Sequence, residues 1–88
     1  MYYVYILYSE NSNIYYKGYT EDVSKRLREH NEGLSRYTSN QGPWELVYQK
    51  MFHTKREALL EEKRIKKLNR ESIIKLIEKS IIKVPGKN

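Results

Sequence analysis

The segment NIYYKGYT, residues 13–20, places three tyrosines and a lysine around Gly18. Tyrosine is common in β-strands, whereas glycine weakens a strand and often marks a close approach to the backbone. A phenol can donate and accept hydrogen bonds, and an ammonium group can hold an anion. The segment is therefore a candidate strand of a binding or catalytic site, with ordinary sheet packing as the alternative.

A second group of candidate residues lies in EDVSKRLREHNEG, residues 21–33. Helical spacing predicts one core-facing stripe, formed by Val23, Leu27, His30 and Leu34. Arg26 flanks this stripe, and a buried charge without a partner is costly. A phosphate would satisfy Arg26 through bidentate hydrogen bonds. The alternatives are an Arg26 that extends into solvent and a His30 that is hydrogen-bonded in the core.

Three carboxylates, those of Glu57, Glu61 and Glu62, stand among many cations in EALLEEKRIKKLN, residues 57–69. The usual role of such residues is ion pairing on a helix surface. Helical periodicity allows either Glu61 or Glu62 to point inward and does not choose between them.

The elements that must position these residues follow from the apolar and turn patterns. Predicted strands cover residues 2–8, 14–19 and 44–52, and predicted helices cover about 21–32, 55–68 and the segment after Asn69. The order β-β-α-β-α-α predicts an α+β fold with a small, three-stranded, mainly antiparallel sheet flanked by helices. We expect one domain over residues 1–83 and a frayed tail over residues 84–88.

Capping residues fix the predicted helix ends. Thr20 is the expected N-cap of the first helix, which puts Glu21 and Asp22 in its first turn, and Gly33 is its expected stop. A capping box, Thr54 to Glu57, opens the second helix, and Asn69 caps the third. The third helix should carry an apolar stripe formed by Ile73, Ile74, Leu76, Ile77 and Ile81.

Composition narrows the functional classes. The net charge is +6, and residues 1–48 carry five Lys/Arg against six Asp/Glu, so the whole excess lies in residues 49–88, with twelve against five. A segregated basic surface is typical of nucleic-acid-binding proteins, with a solvated lysine-rich helix as the alternative. The chain has no cysteine, so we expect a cytoplasmic protein without a thiolate zinc site. The run YYVYILY is too short to span a membrane, so we expect no membrane partner.

These motifs resemble, in type and order, those of the GIY-YIG nuclease family, most closely its small stand-alone bacterial members. The first family motif falls on Tyr3-Val4-Tyr5 and the second on Tyr16-Lys17-Gly18. The helix motif, an arginine four residues before a histidine, falls on Arg26 and His30.

The resemblance continues along the chain, over roughly residues 2–78. A late E-x-x-I-K motif falls on Glu62 to Lys66, and residues 36–48 are similar to the same subgroup. There are two departures: Tyr3 replaces the glycine of the first motif, and Lys17 replaces an aliphatic residue of the second. Side chains alternate across a strand, so Lys17 should point away from Tyr16 and leave the site intact.

The resemblance implies cleavage of phosphodiester bonds in DNA with one divalent ion, Mg²⁺ or Mn²⁺. Glu62 would hold the ion, and Arg26 would stabilise charge on the phosphate. Tyr5 and Tyr16 would position the attacking water, one of them as general base or as a link in proton transfer. His30 would take a proton from that tyrosine or orient it.

Further residues are expected to contact DNA, namely Lys17, Gly18, Arg36, Tyr37 and Thr38. No small-molecule cofactor is expected, and the cleavage would be directed by DNA structure or damage in repair or recombination. A two-metal nuclease is disfavoured because Asp22 is the only aspartate, and neither a zinc site nor a phosphate-binding glycine loop is evident. The alternatives are a non-catalytic nucleic-acid-binding module that uses the basic half, residues 36–39 and Trp44, and a protein-interaction domain.

Overall fold

The central strand, β1 (Tyr2–Ser9), carries no charged side chain and is therefore able to lie between two layers. Val4, Tyr5, Ile6 and Leu7 are almost fully buried. In the computed structural model, which describes residues 1–82, β1 pairs antiparallel with β2 (Ile14–Thr20) on one side and with β3 (Glu45–Phe52) on the other. The sheet order is β2-β1-β3.

The described helices are α1 (Val23–Asn31), α2 (Lys55–Lys66) and α3 (Arg70–Ile82). A short 3₁₀ turn, Arg36–Thr38, lies in the loop between α1 and β3. The element order and the antiparallel sheet confirm the predicted α+β fold. The predicted boundary at residue 83, the tail 84–88 and the side chain of Ile81 lie outside the described part of the chain.

The predicted caps are confirmed for α2 and α3 but are wrong for the start of α1. Thr54 and Glu57 form a complete capping box, and the Asn69 side chain accepts a hydrogen bond from the Ser72 N–H at 2.9 Å. The N-cap of α1 is Asp22, whose carboxylate accepts from the Lys25 N–H at 3.0 Å. Thr20 remains in β2 because it pairs with β1.

The end of α1 follows the prediction at Gly33 and departs from it at Leu34. Gly33 has φ +76°, and the Leu34 N–H reaches back to the Glu29 carbonyl at 2.9 Å, which is the Schellman arrangement. Because the helix has ended, Leu34 no longer follows its periodicity. The predicted core position of Leu34 is therefore wrong, since its side chain is 70% exposed.

Two hydrophobic clusters lie on opposite faces of the sheet. Val4 and Ile6 pack with residues of the C-terminal helices, including Ala58, Ile65 and Ile73, which confirms part of the predicted α3 stripe. Tyr5 and Leu7 pack on the other face, in a cluster with Ile14, Tyr16, Leu27, Trp44 and Leu46. Strand β1 therefore separates a structural core on one face of the sheet from the cluster of Tyr5 and Tyr16 on the other, which we call the Tyr5 face.

A break in the pairing of β1 with β3 changes which residues of β3 face each cluster. The partner of Ile6 is Tyr48 and the partner of Leu7 is Leu46, so Val47 is an extra residue, as in a β-bulge. Val47 and Tyr48 both pack with the core cluster on the face of α2 and α3, whereas Leu46 lies on the Tyr5 face. Within residues 1–82, the helices are too short or too polar for a membrane span.

Candidate active site

Tyr5 and Gly18 are direct partners across β1 and β2. The phenol of Tyr5 lies over the glycine, and a Cβ built at Gly18 would stand 2.8 Å from the phenol oxygen. A real Cβ contact is never so short, so any side chain at position 18 would displace the phenol. The close approach that the sequence predicted at Gly18 is thus made by Tyr5. The predicted DNA contact of Gly18 is wrong, because the glycine is buried beneath this phenol.

The Tyr5 phenol begins a buried hydrogen-bonded chain to α1 and the following loop. Its oxygen lies 3.2 Å from Nε2 of His30, and Nδ1 of His30 lies 2.6 Å from Oγ1 of Thr38. All three side chains are essentially inaccessible to solvent. His30 points inward because it lies on the same stripe of α1 as Leu27, as its spacing predicted.

The available partners define the tautomer of His30. The nearby guanidinium of Arg26 can only donate, so the Tyr5 hydroxyl proton needs an acceptor, and His30 Nε2 is the one recorded among residues 1–82. Nδ1 then carries the imidazole proton and donates it to Thr38 Oγ1, whose own proton points to the Ser35 carbonyl at 3.5 Å. Tyr5 is the donor and His30 the acceptor in this state.

The electrostatics of His30 agree with a neutral ring. Burial and, secondarily, the positive charge of Arg26 lower the pKa of His30 to about 4, against a smaller opposing effect of Glu29. At neutral pH the imidazole is uncharged, and Nε2 is free to accept from the phenol.

Arg26 stands at the edge of this buried chain. Its Nη1 donates to Oε1 of Glu29 at 2.7 Å, and its side chain remains about one-third exposed. Burial alone would lower the pKa of Arg26, but the interactions with Glu29 and Tyr5 outweigh that effect and raise it. The guanidinium is therefore permanently charged, oriented by Glu29, and accessible to an anion. It neither extends fully into solvent nor lies buried.

The neighbours of Tyr5 distinguish Glu62 from Glu61. Burial raises the pKa of Tyr5, Arg26 opposes the rise, and Tyr16 and the Glu62 carboxylate add smaller increases. Glu61 instead accepts two hydrogen bonds from Arg64, and its charge contributes to the raised pKa of Tyr48, which packs in the opposite cluster. Of the two carboxylates that periodicity left open, Glu62 is the one whose charge acts on Tyr5.

Tyr16 completes the arrangement from the edge strand. Its ring centroid lies 4.8 Å from that of His30, 6.4 Å from that of Tyr5 and 5.8 Å from that of Tyr37. Lys17 lies on the opposite face of β2, across from Ile6, as the alternation of a strand predicted. The structure therefore brings together Tyr5, Tyr16, Arg26 and His30, four of the five predicted catalytic residues, and the charge of the fifth, Glu62, acts on the Tyr5 phenol.

The comparison with protein families adds an independent observation. A family model described as the GIY-YIG catalytic domain matches residues 1–83. The chain belongs to the GIY-YIG family. Its relatives include UPF0213 proteins of Staphylococcus saprophyticus, 43% identical over 78% of this chain and 84% of that protein, and of Clostridium perfringens, 45% identical over 80% and 75%.

A solved structure is similar as well. The solution NMR structure of a UPF0213 protein from Bacillus halodurans matches with a TM-score of 0.57 and 38% identity, covering 89% of this chain and 84% of that one. The GIY-YIG fold of this chain is thus supported by sequence and by structure.

Besides Gly18, two further residues of this GIY-YIG domain do not have the roles predicted from sequence. Thr38 was expected to contact DNA, but its side chain is fully buried and bonded to His30, so it cannot reach a substrate. Trp44, considered for base stacking in a binding module, is also buried and donates its indole N–H to the Thr38 carbonyl at 3.2 Å. Arg36 and Tyr37, in the same turn, are exposed and remain candidates for DNA contact.

Sequence reasoning missed Asn31 and Ser9, which hold the loop that carries Thr38. The Asn31 side chain accepts from the Trp44 N–H at 2.5 Å and donates to the Trp44 carbonyl at 3.1 Å. Ser9 is buried and donates to the Gln41 carbonyl at 2.5 Å. Both residues are small and polar at the end of an element, which is a frequent pattern in loops and therefore gives no distinctive signal.

The site offers limited protein ligation for a metal ion. Residues 1–82 contain no cluster of three or more His, Asp or Glu side chains with the geometry of a metal site. Glu62 contributes a carboxylate with a largely shielded side chain, paired with Lys66 at 3.2 Å. One carboxylate suits a hard cation such as Mg²⁺, which commonly keeps several waters and uses one or two carboxylates together with substrate phosphate oxygens.

Proposed function

We propose that this GIY-YIG protein is an endonuclease that hydrolyses phosphodiester bonds in DNA with one divalent cation. The observation that carries the proposal is the position of the Tyr5 phenol, whose oxygen lies 3.2 Å from His30 Nε2 and whose ring centroid lies 6.4 Å from that of Tyr16. The charges of Arg26 and Glu62 both act on this phenol, and together these groups could serve a phosphate, a metal ion and a proton. Family membership supports the same chemistry.

Arg26 would bind the scissile phosphate. Its guanidinium has donors beyond the one that Glu29 accepts, and these can form charge-assisted hydrogen bonds to phosphate oxygens. A preformed donor aimed at charge that develops in the transition state lowers the barrier without reorganisation. The ion pair with Glu29 keeps the guanidinium in position before DNA arrives.

Tyr5 and His30 would form the path for a proton. The raised pKa of Tyr5 keeps it protonated at neutral pH, so the phenol is a poor base by itself. As a link in proton transfer from the attacking water, the buried phenol would accept one proton while its own proton passes to Nε2 of His30. A phosphate that pairs with Arg26 would offset the positive charge that disfavours the imidazolium, so substrate binding would strengthen His30 as an acceptor.

Glu62 would hold Mg²⁺ or Mn²⁺, and Tyr16 would position the attacking water. The ion, when bound, supplies positive charge next to the phosphate. The pairing of Glu62 with Lys66 compensates its charge in the protein alone. The finer proposal is that cleavage is directed by DNA structure or damage, in repair or recombination.

A panel of labelled single-stranded, duplex, nicked, flapped and four-way DNA in Mg²⁺ or Mn²⁺ tests the proposal. We expect wild-type protein to cut at least one substrate and Glu62→Gln to lose about 100-fold or more in rate. Glu61→Gln is the matched control, because the neighbouring carboxylate pairs with Arg64 instead, and it should keep its rate within a few-fold. Binding without cutting, or equal rates for wild type and Glu62→Gln, would instead favour the non-catalytic binding module.

A further inference from the structure

A cavity of about 380 Å³ lies at the outer edge of β2, lined by Tyr15, Tyr16, Lys17, Tyr37 and Lys66. Its volume falls within the range of roughly 300–1,000 Å³ that is usual for small-molecule sites. The lining combines three aromatic rings with two ammonium groups. Such a combination suits a group that is planar and carries a neighbouring negative charge.

Two walls of this cavity, which we call the edge pocket, are held in place by their neighbours. The Tyr15 ring lies 4.7 Å from the Tyr8 ring, and the Arg70 guanidinium lies 5.1 Å from the Tyr15 ring centroid. Tyr16 is packed beside His30, with 4.8 Å between the ring centroids. The aromatic walls are therefore formed before any ligand binds, which reduces the entropic cost of binding.

Tyr37 forms the outer wall and is the unusual member. Its side chain is 73% exposed, although it is a large aromatic residue. It sits in the 3₁₀ turn directly before Thr38, which is buried and fixed to His30. The turn thus presents an aromatic ring to solvent from a rigid base, 5.8 Å from the Tyr16 ring centroid.

The edge pocket adjoins the proposed catalytic groups. Tyr16 belongs to both, and the ammonium of Lys66, which lines the pocket, lies 3.2 Å from the carboxylate of Glu62. A group in the pocket would therefore be only a few covalent bonds away, along the same ligand, from a phosphate held by Arg26 and by a cation on Glu62. For a polynucleotide, that group is the nucleotide next to the bond being cut.

We propose that the edge pocket receives the base of one unpaired nucleotide flanking the scissile phosphate. The base stacks on Tyr37, and Lys17 and Lys66 contact its phosphate. Stacking on a side chain requires an exposed base face, which a base within a continuous duplex does not offer. The substrate class is therefore DNA with a single-stranded segment at the cut, such as a flap or a splayed arm. This inference rests on the proposed function, because it takes the Glu62 region as the place of cleavage.

Binding in EDTA tests the pocket without cleavage. The probes are a continuous duplex and the same duplex with a single-stranded arm that carries 2-aminopurine at its first unpaired position. Stacking on Tyr37 should quench the 2-aminopurine fluorescence of the armed probe. Tyr37→Ala should weaken binding of the armed probe by roughly 5- to 150-fold, the range expected for loss of one stacked base, and leave duplex binding unchanged.

Matched variants separate stacking from other effects. Tyr37→Phe retains the ring and should restore affinity and quenching, and Leu34→Ala removes an equally exposed side chain outside the pocket and should have no effect. Lys66→Gln should weaken binding of the armed probe more than Lys67→Gln does. Equal losses on both probes with Tyr37→Ala, or no loss on either, would overturn the inference. If wild type cuts DNA in Mg²⁺ under those outcomes, the proposed function stands without the pocket.

Discussion

The phenol of Tyr5 occupies the space that a side chain at Gly18 would need, with 2.8 Å between its oxygen and a Cβ built on that glycine. The two residues are partners in neighbouring strands. The backbone of β2 thus contacts the Tyr5 phenol on one side, and His30 holds it on another through its hydrogen bond. The sheet itself, and not only the helix, fixes the group proposed to handle the proton.

Gly18→Ala should therefore destabilise the fold and reduce cleavage together. We expect a loss of about 1–3 kcal/mol in the free energy of unfolding, because the added methyl overpacks against the phenol. In a Tyr5→Leu background the clashing ring atoms are absent, so the same change should cost less, with a coupling energy of at least about 0.5 kcal/mol. Urea denaturation of the four proteins in this cycle measures the coupling. Strictly additive costs would contradict it.

Arg26→Ala should abolish most cleavage while leaving the fold intact. Loss of one preorganised donor costs about 10²–10³ in rate, whereas its partly exposed ion pair with Glu29 contributes at most about 1 kcal/mol to stability. Arg26→Lys should recover little, because an ammonium cannot make the bidentate contact. Single-turnover cleavage and thermal unfolding measure the two effects, with the exposed Arg28→Ala as control. Full activity of Arg26→Lys would argue against bidentate phosphate binding.

Stability should fall in acid because of His30. Its pKa of about 4 lies below the ordinary value of 6.5, since burial and Arg26 disfavour the imidazolium and only Glu29 opposes them. Between pH 6.5 and 4 the unfolded chain takes up this proton and the folded protein does not. The free energy of unfolding should thus decrease as pH falls through this range, by up to about 3 kcal/mol from this group.

Urea denaturation from pH 8 to 4 measures that contribution. His30→Gln should remove most of the slope between pH 6.5 and 4, although it also lowers stability at neutral pH. His53→Gln is the control. Because His53 is exposed, this variant should show the same slope as the wild type. A wild-type slope that survives in His30→Gln would assign the acid sensitivity to other groups.

Thr38→Val should leave Nδ1–H of His30 without an acceptor in a buried place. We expect a cost of about 1–3 kcal/mol, the usual penalty for a buried donor that loses its partner. The change should also shift the imidazole tautomer away from the Nδ1–H form, which ¹⁵N chemical shifts of the ring report directly. Thr38→Ser keeps the hydroxyl and should preserve the tautomer. An unchanged tautomer in Thr38→Val would mean that Thr38 does not set it.

The sequence predicted the fold well where a local signal was decisive. No neighbouring residue competes with Thr54 and Glu57 as the cap of α2, or with Gly33 as the end of α1. Both helix ends were predicted correctly. At the start of α1, Thr20 and Asp22 are both good caps, and strand pairing of Thr20 decided between them. The predicted core position of Leu34 was wrong because the apolar periodicity continues past the residue at which the helix ends.

The grouping of Tyr5, Tyr16, Arg26 and His30 was predicted, whereas the contact of His30 with the loop was not. Arg26 and His30 were visible from their spacing, whereas the choice of Glu62 over Glu61 came from the family resemblance. Thr38 could not be recognised as the partner of His30, because that contact depends on how a loop folds back over α1. No local rule describes such a long-range fit.

The alternation of β1 has a consequence for how this chain can change in length. Odd-numbered Tyr5 and Leu7 face the candidate site, and even-numbered Val4 and Ile6 face the structural core. A slip of β1 by one residue against β2 and β3 would exchange these sets, placing the tyrosine in the core and valine and isoleucine at the site. Change in β1 should therefore occur by substitution, because a deletion between Val4 and Leu7 puts one part of the strand on the wrong faces and should reduce stability and cleavage together.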